Sequence, residues 1–498
     1  MNVIAASGLD VDPGSIASCG EATWGIARTA GGARLVVVAP QEAAFTSRLE
    51  GERSDRQGAT LVVGPTSPAN ALILRERFPW LVPTPLGLST SAGLGDRLGL
   101  ATPGHIRAMR SSGTGLRPVF AQQSMREMAR TGRTPGQVMD DAMWAVFAAG
   151  WRDGYGADAD HLKEAADIDA GLAAGFTLFT IDPGAHVDDS ADAIPADGMR
   201  DVLDRLPWSR LEDSPQDLRQ RYLGRRFDCD LTIVTFDEET LAKAAVKYGR
   251  AVAHVASMFR HLKARASRPF EVEVSVDETS CPTSHAEHVY VATELSRLDV
   301  EWVGLAPRFV GRFEKGVDYI GDLAAFEAHF AGHAAIARAL GPYKISLHSG
   351  SDKFSIYPIA AAHARGLVHL KTAGTSYLEA LRTAARVNPP LFRRIYAFAR
   401  ERYETDRASY HVSAGLDQAP EADSVADRDL AALLDDFHAR EILHVTFGSV
   451  LTATDHAGVR LFGGDLLALV ARHAEDYASN LERHFAKHLA PFAARSRQ

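Results

Sequence analysis

The chain has little of what marks secreted and membrane proteins. Three cysteines occur in 498 residues, and Cys19, Cys229 and Cys281 lie far apart without a Cys-x-x-Cys spacing. A disulfide framework or a thiolate zinc site is therefore not expected. The first residues lack a basic stretch followed by an apolar one, and no run of about 18 apolar residues occurs. We therefore expect a cytoplasmic protein without a signal peptide or a transmembrane helix.

Positive charge is also in short supply. The 54 Lys and Arg residues are outnumbered by 63 Asp and Glu residues, which gives a formal net charge of -9. This balance argues against nucleic acid or an anionic membrane surface as a partner. The length of 498 residues suffices for two or three domains, or for one large α/β barrel with insertions. The expected partner is a small-molecule substrate, and the sequence leaves open whether the chain forms a homo-oligomer.

Several signature motifs of enzyme families are missing as well. The absence of a GxSxG elbow disfavours a Ser-His-Asp hydrolase. The glycine-rich stretches "SSGTGLRP" and "GLGDRLG" do not join a strand to a helix in the GxGxxG manner, so no nicotinamide cofactor is expected. No HExxH motif occurs either, and any metal site must therefore be assembled from distant parts of the chain.

What the sequence does contain is an alternation of short β-branched runs with amphipathic helical stretches, the pattern of a parallel α/β fold. The runs predicted as strands are residues 97–102, 117–122, 156–162, 176–182, 270–278, 301–306, 343–348, 367–372 and 442–447. A (β/α)8 TIM-type barrel uses eight strands, so one run is in excess, and we assign the first to the N-terminal segment. The predicted organisation is an ancillary segment at 1–92 and a barrel at 93–498, with an inserted helical segment at about 185–268.

Strand alternation predicts an unusually polar barrel interior. In "KISLH", Ile345 and Leu347 face the helices, so the alternate residues face inward. The inward positions predicted in this way are Lys344, Ser346, His348, His369, Lys371, Glu273, Ser275, Asp277 and His444, with Glu278 at the rim. Burying such groups costs free energy unless they are paired or bind something. Their recurrence near the carboxyl ends of several strands indicates an active site there.

The polar residues at the strand ends suit either a metal or a reactive lysine. His161, His348 and His369 are predicted metal ligands for a divalent cation such as zinc, manganese or iron, and no local spacing motif fixes the set. Further candidate ligands are Asp182, His186 and Glu278. Lys371 offers the rival chemistry, an imine with a ketose. We prefer the metal, with Lys371 as a binder of anions.

Four segments carry a recognisable pattern: "GADADHLKEAADIDAGLAAGFTLFTIDPGAHVDD", "KISLHSGSDKFSIYP", "HLKTAGTSYLEALR" and "HVTFGSVL". These segments resemble the tagaturonate/fructuronate epimerase family. The resemblance implies a divalent-metal-dependent isomerase of hexuronate catabolism that interconverts D-tagaturonate and D-fructuronate. It also implies functional roles for Asp160, His161, Glu278 and His348, whereas His369 is added from strand alternation alone.

The chemistry implied by the resemblance constrains the remaining roles. The stereocentre that changes lies β to the ketone, so retro-aldol cleavage and re-addition is a plausible route, with Asp160 taking a proton and Glu278 returning one. The residues expected to bind the anionic sugar acid are Lys371, Arg308, Lys353, Ser349 and Gln122. Two alternatives stay open: a metal-dependent aldolase or ketose isomerase acting on sugar acids, and a non-catalytic sugar-binding barrel.

Overall fold

The N-terminal segment forms an antiparallel sheet beside the rest of the molecule. The computed structural model describes residues 7–29, 32–41, 43–56, 58–230 and 232–494. The sheet has the order β1-β2-β3-β5-β4. Its strands are β1 (Ala17–Cys19), β2 (Ala22–Thr29), β3 (Gly32–Pro40), β4 (Glu52–Arg56) and β5 (Ala59–Pro65), followed by helix α1 (Pro68–Arg77). Trp24 of this sheet packs on Phe78, and Phe78 packs on Phe147, which belongs to the following part of the chain.

A closed barrel of eight parallel strands forms the centre of the molecule, and the predicted TIM-type fold is confirmed. Its strands are β6 (Ser91–Leu94), β7 (Arg117–Ser124), β8 (Gly156–Leu162), β9 (Leu178–Ile181), β12 (Glu271–Val276), β13 (Gly304–Pro307), β14 (Lys344–Leu347) and β15 (Val368–Thr372). The strands follow one another around the barrel in chain order, and β12 pairs with β9. The hairpin of β10 (Arg226–Cys229) and β11 (Thr232–Thr235) lies outside this barrel sheet.

Helices follow the barrel strands along the chain. They are α2 (Thr102–Ser112), α3 (Met125–Thr131), α4 (Pro135–Ala149), α5 (Ala165–Ala174), α6 (Ala196–Asp204), α7 (Trp208–Leu211), α8 (Pro215–Tyr222), α9 (Glu238–Arg265), α10 (His285–Arg297), α11 (Leu323–Leu340), α12 (Tyr357–Ala364), α13 (Thr375–Val387), α14 (Pro389–Asp406), α15 (Phe437–Val445), α16 (Phe447–Thr452), α17 (Gly463–Arg472) and α18 (Ala474–Leu489). Within the described residues, no helix combines the length and apolar composition needed to cross a membrane.

The segment between β9 and α9 is far longer than a simple strand-to-helix connection. It holds α6, α7, α8 and the β10–β11 hairpin. The predicted insertion at about 185–268 therefore contains both this added segment and the 28-residue helix α9. Long connections of this kind usually shape the surroundings of a site or a contact surface.

Two strand predictions are wrong. Residues 97–102 form no strand, because the Asp96 carboxylate accepts the backbone N–H groups of Leu98, Gly99 and Ala101. The first barrel strand is β6, which was not predicted. The boundary predicted between residues 92 and 93 falls inside this strand.

The second wrong prediction is the run at 442–447, most of which lies in helix α15. Asp436 caps this helix by accepting the backbone N–H of Ala439. Ile442, Leu443 and Val445 are all buried, and a short, fully buried apolar run reads the same in a strand and in a helix. His444 therefore does not face inward from a barrel strand.

Candidate active site

The barrel interior is polar, as strand alternation predicted, and its polar side chains lie in two layers. In the lower layer, Lys344 Nζ donates to Ser91 Oγ over 3.1 Å, and Ser91 Oγ lies 2.8 Å from His369 Nδ1. His369 pairs in register with Ser346 of β14, and it lies two residues before Lys371 on β15. Burial lowers the pKa of His369 to about 3. The predicted ligand His369 thus lies one layer below the other candidates and belongs to none of the converging groups of described metal-ligating residues.

The upper layer is organised around the Lys371 ammonium. Its Nζ lies 2.8 Å from Asp158, 2.7 Å from Asp160 and 2.8 Å from Glu273, and it donates to Thr180 Oγ1 over 2.6 Å. Burial disfavours the charge, but these three carboxylates raise the pKa of Lys371 well above its usual value. An imine-forming lysine needs a neutral amine, so this arrangement disfavours the imine chemistry. Nor does Lys371 present a free ammonium to a substrate carboxylate, because its protons already point at these partners.

A bulge in β8 turns two consecutive side chains toward the barrel mouth. The pairing of β8 with β9 shifts in register between Ala159 and Leu162, and His161 has a φ of 56°. Neighbouring residues in a regular strand face opposite sides, but here His161 Nδ1 lies 2.9 Å from Asp160 Oδ1. Bulges next to active sites commonly redirect a side chain in this way. The bulge explains how both Asp160 and His161 reach one site.

His348 follows the end of β14 and is held between two carboxylates. Its Nε2 lies 2.6 Å from Glu273 Oε1, and its Nδ1 lies 3.2 Å from Asp277 Oδ1. Burial and Lys371 oppose a charge on the imidazole, but the two carboxylates outweigh them and raise the pKa of His348 to about 10. The rings of His348 and His161 are 5.1 Å apart between centroids.

Asp160, His161 and His348 together form what we call the mouth cluster. Each offers one ligand atom, and these atoms lie within 4.8 Å of one another. Two imidazoles and a carboxylate are a donor set suited to zinc, manganese or iron. Carboxylates also outnumber lysines around the cluster, so a divalent cation could replace the protons that the histidines carry. The residues present therefore fit a divalent metal.

Glu278 stands at the rim beside the mouth cluster, as predicted. Its Oε1 accepts a hydrogen bond from Arg126 Nη2 over 3.0 Å and lies 3.8 Å from His161 Nε2. Burial works against the charge, yet His161 holds the pKa of Glu278 below its usual value. His161, Asp182 and Glu278 form a second group with converging ligand atoms. The other suggested ligand, His186, instead stacks on His254, with ring centroids 4.1 Å apart, and belongs to none of the converging groups of described metal-ligating residues.

A cavity of about 380 Å³ opens above these residues. Of the residues predicted to bind substrate, those that line it are Gln122, Arg308, Ser349 and Lys371. The amide oxygen and nitrogen of Gln122 are both buried without a hydrogen-bond partner among the described residues. Such an amide is available for sugar hydroxyls. Ser349, with a φ of 49°, accepts a hydrogen bond from Lys315 Nζ over 2.5 Å.

Lys353 does not take the role predicted for it. Its buried Nζ donates to the backbone carbonyl oxygens of Glu314, Ser351 and Val317, at 2.7 Å from the first and 3.0 Å from the second. An ammonium has three protons, so these contacts occupy them all. Burial lowers the pKa of Lys353 to about 8. Lys353 is a structural residue that fixes the loop after β13 to the loop after β14.

Other lining residues were missed because they come from helices and loops rather than strand ends. The cationic ones are Arg97, Arg126, Arg312 and Lys315. His444, which was predicted to face inward from a strand, reaches the same cavity from helix α15. Tyr410 and His411 line it from the segment after α14. Strand alternation gives no information on such residues. Together the cations give the cavity a means of attracting an anion.

The comparisons with known proteins bear on what this cavity does. A family model described as UxaE, tagaturonate epimerase, matches residues 13–492. The chain belongs to the tagaturonate epimerase family. The resemblance found in the sequence is thereby confirmed, and the chain is an isomerase that acts on carbohydrates.

Individual relatives of the family cover most of the chain. A tagaturonate/fructuronate epimerase from Thermotoga maritima is 48% identical over 382 residues, which is 77% of each chain. A glycerol-complexed crystal structure of the fructuronate-tagaturonate epimerase UxaE from Cohnella laeviribosi is 37% identical, with a TM-score of 0.92 over 98% of this chain and 97% of that one. The native crystal structure of the same enzyme gives a TM-score of 0.91 over the same shares, also at 37% identity.

Proposed function

We propose that this chain interconverts D-tagaturonate and D-fructuronate in the cavity at the barrel mouth, with a divalent cation bound by the mouth cluster. The observation that carries the proposal is the convergence of two imidazoles and a carboxylate within 4.8 Å at the carboxyl end of the barrel, in a member of this family. Active sites of this fold lie at that end, because the loops after the strands meet there.

Asp160, His161 and His348 would hold the cation. Further carboxylates beside these imidazoles are those of Glu273, Asp277 and Glu278. A bound divalent cation would act as a Lewis acid on the substrate carbonyl. Glu273 and Asp277 each contact one nitrogen of His348, and the contact at the nitrogen that does not bind the cation would orient this imidazole. Such outer contacts usually tune both the orientation and the basicity of a ligand.

The reaction must invert a carbon that lies β to the ketone, whose C–H bond the carbonyl does not acidify. Retro-aldol cleavage achieves this inversion. The β-hydroxyl loses its proton, the bond between the α and β carbons breaks, and its electron pair passes to the enolate of the ketone fragment. The aldehyde fragment then rotates and the bond re-forms on its other face. Atoms and electrons balance without a redox cofactor.

Asp160 and Glu278 would carry out the two proton transfers. His161 lies between them, 2.9 Å from Asp160 through Nδ1 and 3.8 Å from Glu278 through Nε2. Although burial opposes its charge, His161 and Lys371 hold the pKa of Asp160 well below its usual value, so this residue is a carboxylate ready to accept the β-hydroxyl proton. Despite its burial, Glu278 is ionised at rest, because His161 lowers its pKa. At the solvent-accessible rim it would take up a proton from water and pass it to the alkoxide that forms when the bond is remade.

Recognition of the sugar acid would rely on the cations and amides that line the cavity. Arg308 and Lys315 are candidates for the substrate carboxylate, and Gln122 and Ser349 for its hydroxyls. Arg308 is fixed at its backbone, because its N–H donates to Thr283 Oγ1 over 3.0 Å. A guanidinium can pair with a carboxylate through two parallel hydrogen bonds.

The direct test is to incubate the purified protein with D-tagaturonate and follow the carbon NMR spectrum. The expected result is growth of D-fructuronate to an equilibrium mixture, without lasting three-carbon fragments. Lasting fragments would identify an aldolase instead, and an unchanged spectrum with saturable binding of tagaturonate would identify a sugar-binding barrel.

The role of Glu278 can be tested separately. Glu278→Gln keeps the shape of the side chain but removes its proton transfer, so we expect turnover to fall about a hundredfold or more with a small change in KM. Glu301→Gln is the matched control, because Glu301 is 79% exposed and, among the described residues, its ion-pair partner is Lys263 alone. A Glu278→Gln enzyme with near-full turnover would remove Glu278 from the mechanism.

A further inference from the structure

Four histidines gather on the outer side of the barrel, away from the cavity. His285 and His288 belong to helix α10, and His329 and His333 are one turn apart on helix α11. The rings of His329 and His333 are 4.4 Å apart between centroids, and that of His285 is 4.9 Å from His333. None of these residues lines the active-site cavity.

We propose that His285, His329 and His333 form a second divalent-metal site, which takes zinc or another nitrogen-preferring transition metal and joins α10 to α11. We call these three residues the helix cluster. Each offers one nitrogen, and the three nitrogens lie within 4.8 Å of one another. His333 is buried and the other two are half-buried, which leaves the ion a path from solvent.

The spacing of the nitrogens fits a tetrahedral ion. His329 Nε2 and His333 Nε2 are 3.3 Å apart, and both lie 3.0 Å from the Thr283 carbonyl oxygen. Two imidazole nitrogens bound tetrahedrally to one zinc ion, at about 2.0–2.1 Å each, are about 3.4 Å apart. The helix repeat supplies this pair directly, because residues four apart share a face.

His288 completes the site as a partner of His333. Its Nδ1 lies 2.8 Å from His333 Nδ1, and its Nε2 lies 2.8 Å from the Tyr343 hydroxyl. With His333 bound to the ion through Nε2, its Nδ1–H donates to His288, and His288 Nε2–H donates to the Tyr343 oxygen. A metal-bound histidine usually donates its second N–H in this way, which fixes its tautomer and orientation.

A glycine makes room for the third ligand. A Cβ atom at Gly332, in the interior of α11, would lie 2.2 Å from both Cε1 and Nε2 of His285. Glycine is unfavourable inside a helix, and here it allows the imidazole from α10 to lie against the backbone of α11. Glycine at this position therefore leaves space for the His285 side chain.

The imidazoles of the helix cluster are neutral and therefore ready to bind. Burial and His285 hold the pKa of His329 at about 4, and burial together with His288 holds that of His333 well below its usual value. The neighbours that shift these values are imidazoles and the Thr283 backbone, with no carboxylate of the described chain among them. An all-nitrogen site favours zinc, nickel, cobalt or copper over magnesium or calcium.

The proposal is tested by counting zinc. Chelator-treated protein is equilibrated with zinc chloride and passed through a desalting column, and the bound metal is measured by mass spectrometry. We expect His329→Gln to retain one zinc per chain fewer than the wild type, and the exposed control His456→Gln to match the wild type. Equal zinc in wild type and His329→Gln overturns the proposal. The difference is independent of the mouth cluster, because a failure there lowers both proteins equally.

A second variant leaves all three ligands in place. Gly332→Ala displaces His285, so zinc affinity should fall about tenfold or more while the helix content is kept. Zinc should also raise the Tm of the wild type by about 3 °C or more, and the Tm of His329→Gln by less. Should Gly332→Ala bind zinc as tightly as the wild type, the assignment of His285 as a ligand is wrong.

Discussion

The mouth cluster and the helix cluster both bring imidazoles together, but carboxylates surround only the first. Glu273 and Asp277 contact His348 and raise its pKa to about 10, whereas His329, among other imidazoles, has a pKa lowered to about 4. In both places burial disfavours the charged ring, so the neighbours decide the outcome. The mouth cluster can therefore store and move protons, while the helix cluster can only hold an ion or a neutral hydrogen-bond chain.

The difference between the two clusters is tested most directly by removing a proton acceptor from the mouth cluster. Asp160→Asn keeps the size of the side chain, but the amide can neither take a proton nor bind a cation as the carboxylate would, so we expect kcat to fall about a thousandfold. Steady-state kinetics with tagaturonate measure this, with Asp169→Asn, a 39% exposed carboxylate, as the matched control. A rate above one-tenth of the wild type for Asp160→Asn would mean that Asp160 neither accepts the proton nor is needed to hold the cation.

The next largest effect concerns the lysine that balances the carboxylates at the mouth. Lys371→Met leaves Asp158, Asp160 and Glu273 buried without their cation, so the free energy of unfolding should fall by about 3–5 kcal/mol. Denaturant titration at pH 7 measures this loss. The exposed control Lys263→Met should change stability by less than about 1 kcal/mol. Equal stability of the two variants would contradict the account of a charge-balanced layer.

The neighbouring carboxyl groups of Glu314 and Glu441 provide a third environment for the comparison. Burial and the neighbouring Glu314 raise the pKa of Glu441 from 4.5 to about 8. Between these pH values the unfolded chain ionises Glu441 and the folded chain keeps it protonated, so wild-type stability falls as the pH rises through this range. Glu441→Gln removes that loss.

We therefore expect Glu441→Gln to be more stable than the wild type at pH 8 by about 4 kcal/mol, and nearly equal at pH 4.5. Thermal or denaturant unfolding at both pH values measures the difference. A difference that is the same at both values would show that Glu441 does not titrate in this range.

The smallest expected effect separates substrate binding from chemistry. Arg308→Gln should raise the KM for tagaturonate about tenfold, because a charged hydrogen bond to the substrate carboxylate is lost, and should change kcat less. Inhibition by the neutral sugar D-tagatose should be unchanged. The exposed Arg260→Gln is the control. A parallel loss of tagatose binding would show that Arg308 does not recognise the carboxylate.

The sequence predicted barrel strands that are rich in β-branched residues, such as β12, or that alternate between apolar and polar residues, such as β8. It failed at β6, Ser91–Leu94, because "SAGL" has no β-branched residue and no alternation. It failed at His444 because a buried apolar run has no period that separates helix from strand. Local patterns therefore sufficed for the architecture but not for every element.

The sequence predicted which side chains of the candidate site face the barrel interior, but not how far along the barrel each of them lies. Strand alternation correctly turned His348, His369 and Lys371 inward, yet it could not show that His369 lies in the lower layer with Ser91. Nor could it predict the bulge that brings His161 beside Asp160, because a bulge depends on pairing with β9. Lys353 was misassigned because its partners are backbone carbonyls of distant loops.

The central claim is that the mouth cluster holds a divalent cation required for epimerisation. The most direct measurement is fructuronate formation by chelator-treated protein as zinc, manganese or cobalt is added back, in the wild type and in His348→Gln. The account predicts that metal restores turnover to the wild type but not to the variant. Full turnover by the metal-free wild type, or by His348→Gln at the same metal concentration, would contradict it.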